Sequence, residues 1–350
     1  MLTRISAGAP YGIATGPDGA LWFTLVHQGR VGRLVPGEEP AVHQLDPADG
    51  GPTVITPGAD GAMWFTEFQG GRVGRITPSR EATAFGETTA SLKTAMPEDT
   101  STSTDASTLG RSSAFCEVTA FEASSPYGIV AGADGAMWFT CLQTDRIGRI
   151  GAGGELTEFE VPVPGGMPSG IAAGPDDALW FTLNQGDAIG RISLSGGVTI
   201  HPLPTAGAAP VHITAGPDGA LWFVEIGAGQ VGRIDPTGKI TEYPLPDRAA
   251  RPHAIVTGPD GALWFTKWAV GRVGRITVDG AIEEFDLPDV PVTSPEPATS
   301  AGDEAAAAER ASEQAPASHT VAAEPHGLTV GPDGAIWVAL EAGALARIEV

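Results

Sequence analysis

The chain has 350 residues, including 48 glycines and 30 prolines, and a formal net charge of −22 at pH 7. The acidic balance argues against a nucleic-acid partner, because phosphate recognition needs a basic surface. No apolar run has the length of a signal-peptide core or a membrane span, so a soluble, cytoplasmic protein without a membrane partner is expected. Cys116 and Cys141 lack the spacing of a disulfide framework or a zinc site and are expected to be reduced thiols.

One pattern recurs along the chain: an apolar strand, a turn such as GPDG, an LWFT strand, a GRVGRI strand and often an outer strand such as EYPLP. The tryptophans that mark its seven copies are Trp22, Trp64, Trp138, Trp180, Trp222, Trp264 and Trp337. Successive tryptophans are 42 residues apart, except at two places where the spacing is 74 and 73. Four strands in about 42 residues are typical of a propeller blade. The sequence therefore predicts an all-β, seven-bladed β-propeller of four-stranded antiparallel blades, forming a single domain over residues 1–350.

The ends of the chain and the turns complete this prediction. Only MLTRIS precedes the first inner strand and LARIEV follows the last tryptophan strand, so one short strand is expected to close the ring. The aspartate and glycine of the PDG turns suit tight hairpins, since both residues tolerate left-handed backbone conformations. Each tryptophan is predicted to pack between adjacent blades, which bury their apolar faces against one another.

Two segments lengthen the repeat, near residues 91–113 and 291–319. Both are rich in Ser, Thr, Ala, Pro and Glu and lack apolar periodicity, which predicts disordered insertions that are dispensable for folding. A short helix over 303–314 is an alternative within the second. In the first interval, residues 81–85 and 116–121 both suit the outer strand of the second blade.

A proline and one variable residue open each inner strand. The variable residue, eleven positions before each tryptophan, is Tyr11, Thr53, Tyr127, Ser169, Val211, His253 or His326. Equivalent positions of a propeller surround the central channel, so a polar ring is expected at one mouth, where ligands commonly bind. A single histidine in such a place is more often structural than functional. His253 and His326, however, belong to adjacent copies of the repeat.

The last copy also carries two carboxylates, Glu324 and Glu341, on either side of His326 in the sequence. Glu341 stands where most other copies have a large apolar residue, and a charge at such a position indicates a nearby partner. Two carboxylates and a histidine without cysteine suit Mg²⁺, which needs only one or two protein carboxylates plus water, better than zinc.

The remaining histidines give weaker signals. His212 follows the ring position by one residue, so its side chain is expected to point to the other face of the strand and to serve structure. Four further histidines are expected in loops or outer strands without carboxylate companions: His27, His43, His201 and His319. Trp268, outside the repeat register, suits either a wall beside the channel or packing between blades.

The segments EPHGLTVGPDGAIWVALE (324–341), RPHAI (251–255) and PYGI (10–13) resemble the virginiamycin B lyase, or streptogramin B lyase, family. The resemblance extends along all seven copies, including LWFVE and EYPLP. It implies a propeller enzyme that linearises small cyclic depsipeptide antibiotics of the type B streptogramin class and so confers resistance. Because a closed propeller needs no partner chain, a monomer is expected. The implied reaction is a magnesium-dependent elimination at the ester rather than a hydrolysis.

Site residues follow from the same motifs. The resemblance implies that His326 is the general base, that Glu324 and Glu341 bind Mg²⁺, and that His253 and Tyr11 contact the substrate. An imidazole with a pKa near 6.5 is a suitable base at neutral pH. No nucleophile is needed, and no GxSxG motif is present.

Some features depart from the family pattern. Lys267 stands where the family often has glutamate, so a positive charge near His253 is expected to alter substrate contacts. The segment 291–319 precedes Glu324 and either covers the mouth or hangs free. Two other functions remain open: a propeller lactonase or other hydrolase, which would need more calcium-binding oxygens in the channel, and a non-catalytic binding scaffold.

Overall fold

A computed structural model describes residues 1–78, 115–292 and 319–350. Its regular structure in these ranges is almost entirely strand, with short 3₁₀ turns at Val26–Gln28 and Trp268–Val270. The strands are β1 (Leu2–Arg4), β2 (Pro10–Thr15), β3 (Leu21–Leu25), β4 (Arg30–Leu34), β5 (Ala41–Gln44), β6 (Pro52–Pro57), β7 (Met63–Glu67), β8 (Arg72–Pro78), β9 (Phe115–Glu122), β10 (Pro126–Ala131), β11 (Met137–Cys141), β12 (Arg146–Ile150), β13 (Leu156–Glu160), β14 (Pro168–Ala173), β15 (Leu179–Leu183), β16 (Ala188–Ile192), β17 (Val198–Pro202), β18 (Pro210–Ala215), β19 (Leu221–Glu225), β20 (Gln230–Ile234), β21 (Ile240–Pro244), β22 (Pro252–Thr257), β23 (Leu263–Lys267), β24 (Arg272–Ile276), β25 (Ile282–Asp286), β26 (Val290–Val292), β27 (His319–Val321), β28 (Pro325–Val330), β29 (Ile336–Leu340) and β30 (Ala344–Ile348).

Seven four-stranded antiparallel sheets form the blades of a β-propeller, as predicted. Blades 1 to 6 are consecutive meanders, from β2–β5 to β22–β25. Blade 7 contains β28, β29 and β30 and is completed by β1, whose Thr3 lies opposite Leu345. The N-terminal strand therefore closes the ring, which confirms the predicted closure by one short strand.

The apolar core lies between the blades. Trp22 of blade 1 packs in one cluster with Phe65 of blade 2, and Trp337 of blade 7 packs with Phe23 of blade 1. The same arrangement joins the other neighbours around the ring, so the predicted position of the tryptophans is confirmed. Cys141 is a free, buried thiol whose pKa is raised by burial to about 12, which makes it an unreactive core residue.

The aspartate of each PDG turn does more than form a turn. Asp18 accepts a hydrogen bond from Trp22 Nε1 at 3.1 Å and another from Arg33 Nε at 2.7 Å. Every blade repeats this clamp through its own aspartate: Asp60, Asp134, Asp176, Asp218, Asp260 and Asp333. One arginine from the third strand of each blade is thus neutralised inside that blade.

The structure decides between the two candidates for the outer strand of blade 2. Residues 115–122 form β9 and pair with β8, so the candidate at 116–121 is correct, while 81–85 lies outside the described residues. The interval 291–319 begins and ends within a two-stranded ribbon of β26 and β27. The rest of both insertions, with the predicted helix at 303–314, also lies outside the described residues. Within those residues no helix has the length and apolar character needed to span a membrane.

Candidate active site

A cluster of aromatic rings lies where the inner strands of blades 6, 7 and 1 begin, on the side of the ring called here the upper face. His326 opens β28, and Tyr11 stacks on its imidazole with a centroid distance of 4.5 Å. His253, which opens β22, meets His326 edge-on at 5.0 Å and Tyr11 at 6.0 Å. The structure thus brings together three of the residues singled out in the sequence.

Glu341 holds His326 from the other side. Its Oε2 atom lies 2.6 Å from His326 Nε2, and its Oε1 atom lies 2.6 Å from Nε2 of His27. The expectation that His27 has no carboxylate companion is therefore wrong. Blade 1 follows blade 7 in the ring, so the loop after β3 reaches the loop after β29 although 314 residues separate the two side chains.

The charges of this group are set by its surroundings. Burial lowers the pKa of His326 below its ordinary value, although Glu341 and Glu324 favour the charged form. Burial would raise the pKa of Glu341, but hydrogen bonds from His27 and His326 outweigh it and lower that pKa. At neutral pH the pair is therefore a neutral imidazole beside a carboxylate. With Nε2–H donated to Glu341, the lone pair of His326 is on Nδ1, a buried atom with no hydrogen-bond partner in the described residues.

Neighbouring side chains fix the rings in place. The hydroxyl of Tyr11 lies 3.2 Å from that of Tyr127 across the channel, and burial, together with Tyr127, raises the pKa of Tyr11 well above its ordinary value. Thr266 accepts a hydrogen bond from the backbone of Ala254 at 3.0 Å and donates one to the carbonyl of His326 at 2.9 Å. This hydroxyl ties blade 6 to the start of β28.

The predicted polar ring is incomplete. Thr53 is buried and bonds to the hydroxyl of Thr66 at 2.9 Å, while Ser169 is buried and donates to the carbonyl of Met167 at 3.1 Å. Both hydroxyls are satisfied within the fold, so the chemistry of the mouth is confined to one sector of the ring. His253 is held neutral there, because burial and His326 lower its pKa to about 3.

The carboxylate of Glu324 lies next to this sector. The backbone N–H of Glu341 donates to the carbonyl of Glu324 at 3.0 Å, and Glu324 is exposed. No group of three or more His, Cys, Asp or Glu side chains with metal-binding geometry occurs in the described ranges. The backbone hydrogen bond makes Glu324 and Glu341 neighbours, and two carboxylates are a sufficient protein contribution for Mg²⁺, which takes most of its ligands from water and substrate. Any oxygen of Glu341 that contacts the ion would also accept a hydrogen bond from His27 or His326.

The structure shows the surroundings of Trp268 and Lys267, two residues of blade 6. Trp268 is half-buried and lies tilted against His326 at 6.2 Å, so it forms a wall of the site. Lys267 is buried and ion-paired with Glu284 of the outer strand. Its charge is neutralised inside the blade by this ion pair, so the expected free positive charge near His253 is absent.

A cavity of about 440 Å³ occupies the central channel below the aromatic cluster, bordered by Tyr11, Tyr127 and His253. His212 lies on its wall and accepts a hydrogen bond from the backbone of Ile255 at 3.4 Å. Burial lowers the pKa of His212 to about 4. This agrees with the structural role expected for it.

Sequence reasoning missed His27, Tyr127 as the partner of Tyr11, and the link made by Thr266. A signal for His27 existed, because it lies five positions after Trp22, next to the repeat position that Glu341 occupies in the neighbouring blade. No comparable signal marks Tyr127, whose contact crosses the channel.

Comparison with known proteins gives a consistent result. The model of the virginiamycin B lyase family matches residues 2–97 and 99–315, a range that ends before Glu324. Virginiamycin B lyase from Saccharopolyspora erythraea is 68% identical over 40 residues, which are 11% of this chain and 13% of that protein. The chain thus matches much less than two thirds of the length of this curated relative.

Solved structures show similarity over the whole chain. Virginiamycin B lyase from Staphylococcus aureus has a TM-score of 0.76 and 31% identity, with 99% of this chain and 97% of that chain covered. A catalytically inactive histidine-to-alanine variant of the same lyase, with quinupristin, gives the same values. A streptogramin B lyase structure is 33% identical, with a TM-score of 0.76 over the same shares. By its family match and its fold, the chain belongs to the virginiamycin B lyase family.

Proposed function

We propose that this protein is a carbon–oxygen lyase that linearises cyclic depsipeptides of the type B streptogramin class by elimination at their ester bond. The observation that carries the proposal is the pairing of neutral His326 with the carboxylate of Glu341 at 2.6 Å at the mouth of the propeller. Family membership supports the substrate class, as does the inactive histidine variant of the similar S. aureus enzyme with quinupristin.

His326 acts as the base. Its neutral imidazole takes the proton from the Cα of the residue whose side chain forms the ester, and Glu341 stabilises the resulting imidazolium through the hydrogen bond to Nε2. The Cα–Cβ double bond forms as the Cβ–O bond breaks, and the bonding electrons leave with the carboxylate. No water is consumed, so the linear product has the mass of the substrate.

The other residues bind and orient. Tyr11 and His253 pack against the base and present flat surfaces to the depsipeptide. Glu324 and Glu341 would hold Mg²⁺, which, when bound, supplies a Lewis acid that makes the Cα proton more acidic. His27, on the second oxygen of Glu341, orients that carboxylate.

Mass spectrometry of quinupristin incubated with the protein and Mg²⁺ tests the proposal. We expect a linear product isomeric with the substrate, lost after chelation with EDTA and restored by added Mg²⁺. His326→Ala should lower kcat by about 10²-fold or more, the usual contribution of a general base. His43→Ala, on the outer strand β5, serves as the matched control with unchanged activity.

The product identifies the competing functions. A product heavier by one water would make the protein a hydrolase and contradict elimination. Unchanged quinupristin with every Mg²⁺ concentration would contradict the substrate class and favour a binding scaffold. Full activity in EDTA would contradict only the proposal that Glu324 and Glu341 bind Mg²⁺, and would leave the proposed elimination unchanged.

A further inference from the structure

The cations of this acidic protein are mostly neutralised within the fold. In the part of the chain that the structure describes, eleven Lys and Arg side chains form ion pairs with carboxylates: Arg33, Arg72, Arg75, Arg146, Arg149, Arg191, Arg233, Lys267, Arg272, Arg275 and Arg347. Arg251 has no carboxylate partner among the described residues and is exposed. Its charge is therefore available to a ligand.

Arg251 lies beside the proposed base. Its guanidinium stands over the ring of Trp268 at 5.8 Å, and that ring is 6.2 Å from His326. The backbone N–H of Trp268 donates to the carbonyl of Arg251 at 3.1 Å, so the two residues are held together. In the repeat, Arg251 occupies the position in blade 6 that Glu324 occupies in blade 7. Opposite charges thus flank the mouth on adjacent blades.

The backbone does not explain an arginine here. Arg251 has a φ of 50°, a left-handed conformation that is unfavourable for a residue with a Cβ. The equivalent residue of blade 2 is Gly51, which adopts the same conformation at φ 61° without that cost. Blades 3, 4 and 5 keep the conformation with Ser125, Met167 and Ala209, at φ values of 51°, 54° and 48°. The backbone of the repeat therefore accepts different side chains here, and the arginine of blade 6 is distinguished by its charge.

An open hollow of about 430 Å³ adjoins this side chain, lined also by Ile226, Gly227 and Arg248. Arg248 is exposed too and forms no ion pair in the described ranges, although its charge also acts on the buried carboxyl of Glu225. Two exposed guanidinium groups beside this hollow suit a ligand that ends in a carboxylate, because the planar guanidinium binds both oxygens of a carboxylate at once.

We propose that Arg251 binds the carboxylate released when the ester bond breaks. The inference rests on the proposed elimination, in which the electron pair of the Cβ–O bond ends on this carboxylate while the Cα proton goes to His326. The leaving carboxylate is a few bonds from the Cα atom, which must approach the base to about 3–3.5 Å. Arg251 and His326 both lie beside Trp268, 5.8 Å and 6.2 Å from its ring. A substrate lying along this ring would therefore present its Cα to His326 and its leaving carboxylate toward Arg251.

Binding of the linear product and of its methyl ester, measured by calorimetry on the whole protein, tests this role. We expect the native protein to bind the acid about fivefold to tenfold more tightly than the ester, as for a bidentate pair partly exposed to water. Arg251→Gln should bring the ratio close to one, and Arg251→Lys should keep part of it. Lys239→Gln, an equal loss of charge in the turn on the opposite face, should leave the ratio unchanged.

Equal affinity of acid and ester for the native protein, or an unchanged ratio in Arg251→Gln, would overturn the inference. This binding assay does not depend on turnover. A protein that linearises quinupristin but shows no preference for the acid refutes the role of Arg251 and leaves the proposed function intact. Hydrolysis or no reaction refutes the proposed function separately.

Discussion

At the scale of single residues, Glu341 is the side chain on which the site depends. It accepts hydrogen bonds from histidines of two different blades, and these bonds keep its pKa low despite burial. A carboxylate that stays ionised can stabilise the imidazolium formed by a base. The other blades place apolar residues or an asparagine at this position, so this carboxylate distinguishes one copy of an otherwise uniform repeat.

Glu225, in blade 5, gives a residue-scale prediction about pH. It is fully buried, one oxygen accepts a hydrogen bond from Gln230 at 2.6 Å, and the other has no partner in the described residues. Burial raises its pKa from 4.5 to about 8. The folded protein therefore keeps a proton that the unfolded chain releases above pH 4.5, so stability falls as pH rises from about 4.5 to 8.

Glu225→Gln should remove this contribution, which amounts to about 1.4 kcal/mol for each pH unit in that window. Urea denaturation of both proteins at pH 5, 7 and 9 measures it. The difference in unfolding free energy should move in favour of the variant as pH rises. Glu67→Gln is the matched comparison. Glu67 has the same repeat position, but its ion pair with Arg72 at 2.7 Å opposes the rise of its pKa by burial, so this variant should show a weaker dependence on pH and lose the stabilisation of the pair. Parallel pH curves for Glu225→Gln and the native protein would contradict the prediction.

At the scale of elements, each blade depends on a contact between its two middle strands. Phe223 of β19 lies opposite Gly232 of β20, and a Cβ atom on that glycine would come within 2.0 Å of the phenyl ring. In blade 7 the equivalent pair is Val338 opposite Ala346. The smaller side chain on one strand leaves room for the methyl group on the other.

This pairing predicts a compensation between two substitutions. Gly232→Ala should destabilise the protein by about 1–3 kcal/mol through overpacking, and Phe223→Val by a few kcal/mol, on the order of other cavity-forming changes. The double variant, which copies blade 7, should be more stable than the sum of the two losses implies, by about 1 kcal/mol or more. Thermal and urea denaturation of the four proteins gives this coupling energy. If the losses of stability in the two single variants simply add in the double variant, the contact between Phe223 and Gly232 does not restrict which residues these positions accept.

At the scale of the whole molecule, ring closure depends on the first few residues. β1 pairs with β30, and Ile5 is buried in the cluster that joins blades 7 and 1. Removal of residues 1–6 should cost at least about 2 kcal/mol from the burial of Ile5 alone and should also reduce activity, because blade 7 carries the candidate base. The midpoint of urea denaturation and the rate of quinupristin turnover measure the two effects. Thr3→Ala keeps the strand and serves as control; an unchanged midpoint after the deletion would show that β1 does not hold the ring closed.

The sequence predicted the architecture because the repeat is regular. Tryptophans 42 residues apart and PDG turns specify the blades. The recurring order of Asp, Trp and Arg, with Arg 15 residues after Asp in blades 1 to 6 and 14 in blade 7, already contains the clamp seen in each blade. The contact of His27 with Glu341 has no such periodicity, since it forms only when the first and last blades meet. The sequence also could not predict that Thr53 and Ser169 form hydrogen bonds within the fold. A short hydroxyl side chain can bond to nearby protein groups or face the channel, and the packing around it determines which occurs.

The closure of blade 7 by β1 also sets the order in which function arises during synthesis. The chain emerges from the ribosome with its N-terminus first, yet the contact between Met1 and Arg347 joins residues 346 positions apart. Six blades can assemble from neighbouring hairpins while translation continues, whereas β1 cannot form its sheet until β30 has been synthesised. His326 and Glu341 belong to that final blade, so a polypeptide interrupted before residue 325 has most of a propeller but lacks the proposed base.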